Sequence, residues 1–245
     1  MSTRPALATT ARVLAQLRRD PRTLALLLLV PCVLLSLLAW IYDGQPQLFD
    51  RVGASLLGIF PFVSMFLVTS VATLRERTSG TLERLLTMPL SKLDLILGYA
   101  LAFGLVAVVQ AVLATALALG PLGLDVLGPW WALLIVAVLD ALLGVALGLL
   151  VSAFAASEFQ AVQFLPAVVL PQVLLCGLLA PRESMAAALE ALSDVLPLTY
   201  AVDAMQRVTA SGDVTGGLVR DLAVVAACVV AALGLGAATL RRRTS

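Results

Sequence analysis

Residues 75–90, Arg75-Glu76-Arg77-Thr78-Ser79-Gly80-Thr81-Leu82-Glu83-Arg84-Leu85-Leu86-Thr87-Met88-Pro89-Leu90, form a polar island between two uncharged runs, each long enough to cross a bilayer. The island has internal punctuation. Gly80 suits a helix N-cap, and Glu83 stands three residues on, where its side chain can reach back to that cap. Leu82, Leu85 and Leu86 then share one helical face, with Glu83, Arg84 and Thr87 on the other. Pro89 disfavours helix at Met88, and Ser91 with Asp94 repeats the capping pattern to open the next helix. The pattern predicts a hairpin over residues 75–94 carrying one short helix. The alternative is a solvated loop whose charges only set topology.

The rest of the chain agrees with a membrane setting. Of its 245 residues 61% are hydrophobic and 13% charged, where a soluble domain has about 25% charged, and the mean hydropathy is +1.03. The apolar runs lack the period-2 alternation of barrel strands and are about twice as long, so the fold class is all-α integral membrane. Cys32, Cys176 and Cys228 lie inside apolar runs and read as small core residues rather than a disulfide framework. The chain has no histidine, which removes the commonest metal ligand and the usual general base. A net charge of +1 says little about partners, because membrane proteins distribute charge by side rather than by total, and nucleic acid is not suggested.

Six transmembrane spans are expected, at about 24–42, 52–74, 95–119, 130–152, 159–180 and 222–240. Before the first, residues 4–20 place Leu7, Ala11, Leu14 and Leu17 on one helical face, with Val13 beside them and Arg12, Gln16 and Arg19 opposite, the pattern of an interfacial amphipathic helix; a disordered basic leader is the alternative. The first span is longer than a signal-peptide core, and no small-x-small cleavage site follows Trp40 and Tyr42. Pro61 predicts a kink in the second span, Gly144 and Gly148 form a G-x-x-x-G pair in the fourth, and the fifth carries Pro166 and Pro171. Between the fifth and sixth spans, residues 181–221 hold two amphipathic patterns. One is Met185, Leu189, Leu192 and Leu196, and the other Leu198, Ala201, Val202, Met205 and Val208, with Pro197 between. They read as two short helices dipping into the outer leaflet or capping the spans, with a solvated lid as the alternative. Counted on alternate sides of six spans, twelve of the sixteen Lys and Arg share the side of both termini and the Arg75 hairpin, which predicts that side to be cytoplasmic.

The run Glu76 to Pro89, with Ser157-Glu158-Phe159-Gln160 before the fifth span and Pro197-Leu198-Thr199-Tyr200 before the last, resembles the ABC-2 type permeases, in particular the drug-exporter branch typified by the daunorubicin-resistance permeases. Nearly the whole chain is covered, as a single transmembrane domain over residues 1–245. The resemblance implies a connecting helix along the cytoplasmic surface, a coupling helix in the hairpin that docks on an ATPase, and re-entrant external helices. It places coupling to the ATPase on Glu76, Gly80, Thr81, Glu83, Leu86 and Pro89, and an external re-entrant element on Pro197, Thr199 and Tyr200. It also implies a second permease copy or homologue, surrounding membrane lipids, and a bacterial plasma (inner) membrane. The chain lacks a G-x-x-x-x-G-K-S/T loop, so ATP and magnesium are expected on a separate nucleotide-binding subunit, with no cofactor, metal or catalytic residue here.

The expected function is export of a hydrophobic or amphipathic compound: a drug, an antibiotic or a lipid. Gln110, Gln163 and Gln172 are candidate hydrogen-bonding points on the path, and Asp140, about 15 Å into the fourth span, is a candidate for path or gating. Asp140 also carries the main rival reading, a proton-coupled secondary transporter. A membrane-embedded hydrolase or acyltransferase lacks a nucleophile and a paired carboxylate, and a purely structural assembly subunit gives the hairpin no role.

Overall fold

The computed structural model describes residues 3–79 and 92–239. Nine α-helices occur among them: α1 (Thr3–Arg19), α2 (Pro21–Ile41), α3 (Pro46–Thr78), α4 (Lys92–Leu119), α5 (Trp130–Ser152), α6 (Glu158–Leu175, with a π-helical turn at Leu165–Val169), α7 (Ala187–Ser193), α8 (Pro197–Ala210) and α9 (Gly216–Thr239). Six of them, α2 to α6 and α9, are long and apolar enough to cross a membrane. The described residues contain no strand.

The centre is the pairing of α3 with α5, and both bury most of their length, whereas α2, α6 and α9 turn most of their side chains outward. Sequence chemistry explains the closeness of the pair. A Cβ on Gly148 would stand 2.7 Å from the Phe66 carbonyl oxygen, and one on Gly144 would collide with the carbonyl of Phe62. The glycine pair therefore lets α5 lie directly on the α3 backbone, while the rings of Phe62 and Phe66 fill the space beside it, fully buried. At the Arg75 end α1 lies on α4 by the same device. A Cβ on Gly98 would be 2.5 Å from the Thr9 Cβ, and the Thr10 hydroxyl donates to the Gly98 carbonyl at 3.1 Å.

The face of α1 set on the bundle overlaps the predicted apolar face at Val13, Leu14 and Leu17. The side against the bundle is Ala6, Thr9, Thr10 and Val13, with Leu14 and Leu17 partly covered, whereas Leu7 and Ala11 are exposed. Close approach to a glycine requires small residues, so the larger Leu7 points outward, where lipid would cover it in a membrane.

Three boundaries also differ from the reading of the sequence. Helix α3 starts at Pro46, where proline is at home in the first turn, and continues to Thr78, so Arg75, Glu76 and Arg77, expected at the start of the hairpin, are helical and continuous with the second spanning helix. Arginine and glutamate favour helix, and no breaker occurs before Ser79-Gly80. At 33 residues α3 is about 50 Å long, more than a hydrocarbon core of about 30 Å. Pro61 lies inside it without ending it.

The fifth span closes at Leu175 rather than at residue 180, because Gly177 turns the chain with a left-handed φ of 88°. Pro166 lies in a widened π turn at Leu165–Val169, and Pro171 follows directly after it in the α-helical stretch Leu170–Leu175. The long connection ends at Thr215 rather than 221, since α9 begins at Gly216 and takes Asp221 into the sixth spanning helix. The two amphipathic patterns form two short helices, the seven-residue α7 and the longer α8, which Pro197 opens.

Candidate functional site

Three successive side chains at the end of α3 reach three different neighbours, because consecutive residues of a helix point about 100° apart. The Glu76 carboxylate accepts from Arg12 Nη1 at 3.1 Å and Nη2 at 2.7 Å, and from the Tyr99 hydroxyl of α4. Arg12 Nη2 also donates to the Tyr99 oxygen at 2.9 Å, and its guanidinium carbon lies 5.9 Å from the centre of that ring. Burial alone would lower the Arg12 pKa, but the hydrogen bond and charge of Glu76, with the Tyr99 phenol, outweigh it and raise the pKa above the usual arginine value. Arg75 forms an exposed two-point pair with Glu158 of α6, Nε to Oε1 at 2.9 Å and Nη2 to Oε2 at 3.2 Å. Arg77 donates to the carbonyl of Ser152, the last residue of α5, where a helix C-terminus favours a cation.

The Ser157-Glu158-Phe159-Gln160 motif completes this junction. Ser157 caps α6 by accepting from the Gln160 N–H at 3.3 Å, and the Gln160 side chain accepts in turn from the Ala156 N–H at 2.8 Å, a reciprocal cap that presents Glu158 to Arg75. One helical turn of α3 thus fastens α1, α4, α5 and α6. Glu76, expected as a coupling residue, is an internal lock whose side chain is only 15% exposed. Gly80, Thr81, Glu83, Leu86 and Pro89 lie outside the described residues, and the segment that carries them leaves directly from this junction.

Deeper in the bundle, Asp140 of α5 is 1% exposed and faces Gly58 of α3 and Met205 of α8. A Cβ on Gly58 would stand 2.8 Å from Asp140 Oδ2, so glycine makes the room for the carboxylate. Oδ1 has no hydrogen-bond partner among the described residues. The three glutamines do not join it. Gln110 is fully buried and donates to the Leu27 carbonyl at 2.6 Å and the Ser64 hydroxyl at 2.7 Å, tying α2 to α3 through α4. Gln172 is buried and donates to the Val168 carbonyl of its own helix at 3.0 Å, and Gln163 is exposed. Among the described residues, the hydrogen bonds of Gln110 and Gln172 go to groups other than Asp140.

At the opposite end the Pro-Leu-Thr-Tyr motif is a clasp. Thr199 donates to the Ser193 carbonyl at 2.8 Å and the Tyr200 hydroxyl to the Asp194 carbonyl at 2.7 Å, so α8 satisfies the carbonyls left open where α7 stops. Pro197 sets the first turn of α8, where its missing N–H costs nothing. Arg182 bridges Asp194 at 2.9 Å and Asp203 at 3.3 Å, and Asp221, fully buried, pairs with Arg207 at 2.8 Å and Arg220 at 3.0 Å. Burial pushes the Asp203 carboxyl up from its ordinary pKa, against the attraction of Arg182.

Sequence reasoning missed this charged cluster because Arg182 and Asp203 stand far apart in the chain and on different elements. One signal was present: Arg182, Arg207 and Arg220 are three of the four arginines that the charge count leaves on the arginine-poor side. Among the described residues no group of three or more Cys, Asp or Glu is placed to hold a metal ion.

The model of the ABC-2 type transporter family matches residues 6–209, a range that includes Arg12, Glu76, Asp140 and Thr199. The chain belongs to that family. As an ABC-2 chain with six spanning helices it is a multi-pass membrane protein.

It is 28% identical over 176 residues to the Escherichia coli K12 protein named "Probable multidrug ABC transporter permease YbhR", covering 71% of this chain and 48% of that protein. The E. coli K12 protein "Probable multidrug ABC transporter permease YbhS" is 27% identical over 178 residues, 72% of this chain and 47% of its own length. The "Inner membrane transport permease YhhJ" of the same strain is 29% identical over 171 residues, 69% of this chain and 46% of its own. The ABC-2 chain therefore spans about half the length of these curated relatives.

Proposed function

We propose that this ABC-2 chain is a permease subunit of an ATP-driven exporter that moves a hydrophobic or amphipathic compound, a drug, an antibiotic or a lipid, out across the bacterial inner membrane. The observation that carries the reading is the junction at the end of α3. The Glu76-to-Pro89 motif leaves from a helix whose last turn grips four neighbours, so a displacement delivered to the motif enters α3. Because α5 rests on the α3 backbone at Gly144 and Gly148 without intervening side chains, it also reaches the helix that holds Asp140. Names of relatives that refer to multidrug and inner-membrane transport permeases support the same class of activity.

On this reading a separate ABC ATPase subunit binds ATP and magnesium and performs the hydrolysis, and its partner surface is the hairpin. The permease works with a second copy or a homologue, and both termini and the hairpin face the cytoplasm, in keeping with the excess of arginine on that side. Glu83 supplies a carboxylate for charge-assisted contacts with basic groups of the ATPase, and Gly80 leaves the turn before it free of a side chain.

The test is a pair of variants in the assembled complex. Glu83→Ala and Gly80→Val are expected to leave expression and membrane insertion normal while abolishing substrate-stimulated ATPase activity, since breaking an interfacial charge pair costs about 2 to 5 kcal/mol. Full transport by either variant would return the segment to a loop that sets topology alone.

The unpartnered Oδ1 of Asp140 favours one second reading, transport coupled to protons through that carboxylate. Vesicles given a pH gradient and no ATP separate the two, because a proton-coupled carrier transports under those conditions and an ATP-driven permease does not.

A further inference from the structure

Helix α8 covers Asp140, and its two ends are held in different ways. The Met205 methyl and the Asp140 carboxylate meet at one point on α3: a Cβ on Gly58 would stand 3.1 Å from Met205 Cε and 2.8 Å from Asp140 Oδ2. The later end of α8 is tied down through backbone and a fully buried charge. The Gly128 N–H donates to the Val208 carbonyl at 2.9 Å, and Arg207 pairs at 2.8 Å with Asp221 of α9, in space that Gly217 leaves for the guanidinium.

The Pro197 end is held otherwise. Thr199 and Tyr200 bond to the carbonyls of Ser193 and Asp194, which belong to α7 and its cap, so those bonds join α8 to α7 rather than to a spanning helix. Besides the apolar packing of Leu198 and Val202, the polar tie from this end to the fifth span runs through Arg182. Its stem rests over the left-handed turn at Gly177, where a Cβ would stand 3.3 Å from Arg182 Cγ, and its guanidinium reaches Asp194 at 2.9 Å and Asp203 at 3.3 Å. The Asp203 side chain is 18% exposed, so Arg182 compensates a carboxylate that is mostly out of water. Arg207 and Arg220 attract Asp203 more weakly, and both are bonded to Asp221, which repels it. Removing one partner of such a pair leaves a charge without compensation, which costs more than the pair itself contributes.

We propose that the Pro197 end of α8 is a hinged lid over Asp140, turning about the ties at Val208 and Arg207 and held shut by Arg182. A polar cavity of about 360 Å³ already lies beside the bridge, with Arg51, Glu183 and Gln206 in its walls, so a carboxylate released from Arg182 has water at hand. Helix α6 starts at Glu158 on Arg75 and runs to the Gly177 turn that seats Arg182, which puts the latch at the far end of a helix that the α3 junction grips. The use of the lid in transport rests on the exporter reading; the hinge itself does not.

The experiment follows labelling by a water-soluble maleimide in the purified full chain in detergent. Two reporters are compared, Val202→Cys toward the free end and Val208→Cys at the tied end, both at buried positions, in a background from which Cys32, Cys176 and Cys228 have been removed. Arg182→Gln is expected to raise the rate at residue 202 about tenfold, between the effects of breaking an exposed and a buried pair, and to leave residue 208 little changed. Adding Asp203→Asn removes the uncompensated carboxylate and is expected to bring residue 202 back toward the parent rate. An unchanged rate at residue 202, an equal rise at both residues, or no recovery in the double variant overturns the proposal, an equal rise being the mark of a fold loosened throughout. If the labelling follows the expected pattern while the complex with its ATPase exports equally well with and without Arg182, the lid stands and its part in export falls.

Discussion

Removing the Glu76 carboxylate should free α1 from the bundle. In the folded chain that carboxylate takes two N–H donors from Arg12 and one O–H from Tyr99, with the side chains of Glu76 and Arg12 at 15% and 28% exposure. A fully buried pair broken on one side costs about 3 to 5 kcal/mol and an exposed pair at most about 1 kcal/mol. The Arg12 guanidinium can recover part of its hydration at the water-facing edge, which places Glu76→Ala between those limits at about 2 kcal/mol. That is roughly a thirtyfold rise in the open fraction of α1.

The reporter is a cysteine at Thr10, which is 7% exposed against α4, in a background from which Cys32, Cys176 and Cys228 have been removed. When opening and closing are fast compared with modification, the rate of labelling by a water-soluble maleimide follows the open fraction. The expected result is a rise of about thirtyfold for Glu76→Ala and a smaller one for Glu76→Gln, which keeps one acceptor. Arg12→Ala with Glu76→Ala should fall well short of the sum of the single effects, because the two residues share one interaction. A labelling rate within twofold of the parent, or strict additivity of the pair, would refute the lock.

Two further outcomes follow from the packing. Gly148→Leu should lower the midpoint of thermal unfolding in detergent, by an overpacking cost of about 1 to 3 kcal/mol, because its Cβ would stand 2.7 Å from the Phe66 carbonyl; Gly234→Leu, with nothing within 4 Å of its Cβ, should not. Asp140→Asn should keep the thermal midpoint within a few degrees while flattening the pH dependence of transport, and transport unchanged at every pH would reduce Asp140 to a packing residue.

The six apolar runs, the island at residues 75–90 and the polar cap at Ser157-Glu158-Phe159-Gln160 are local patterns. Hydropathy over about twenty residues, helical periodicity and capping spacing act between neighbours in the chain, so the number of spanning helices, the all-α class and the family resemblance could be read without coordinates. The same locality limits what is legible. The first charge marks where the apolar run ends, whereas helix α3 continues through charges that have partners; hydrophobicity marks the apolar face of α1, whereas the close approach to Gly98 selects small residues.

What the tertiary structure decided was partnership. Gly144-x-x-x-Gly148 permits a close contact and cannot say with what; the α3 backbone at Phe62 and Phe66 is the answer. Arg12 and Glu76 are 64 positions apart, and Arg75 and Glu158 are 83 apart, so no spacing rule links them. Gln110 ties α2 to α3 through α4, and the Asp140 carboxylate stands against Gly58, contacts that no spacing in the sequence announces. Pairing energies of this kind depend on distance in space and on burial, which a one-dimensional pattern does not contain, so the sequence determined which helices exist and the packing of α3 determined what their polar residues do.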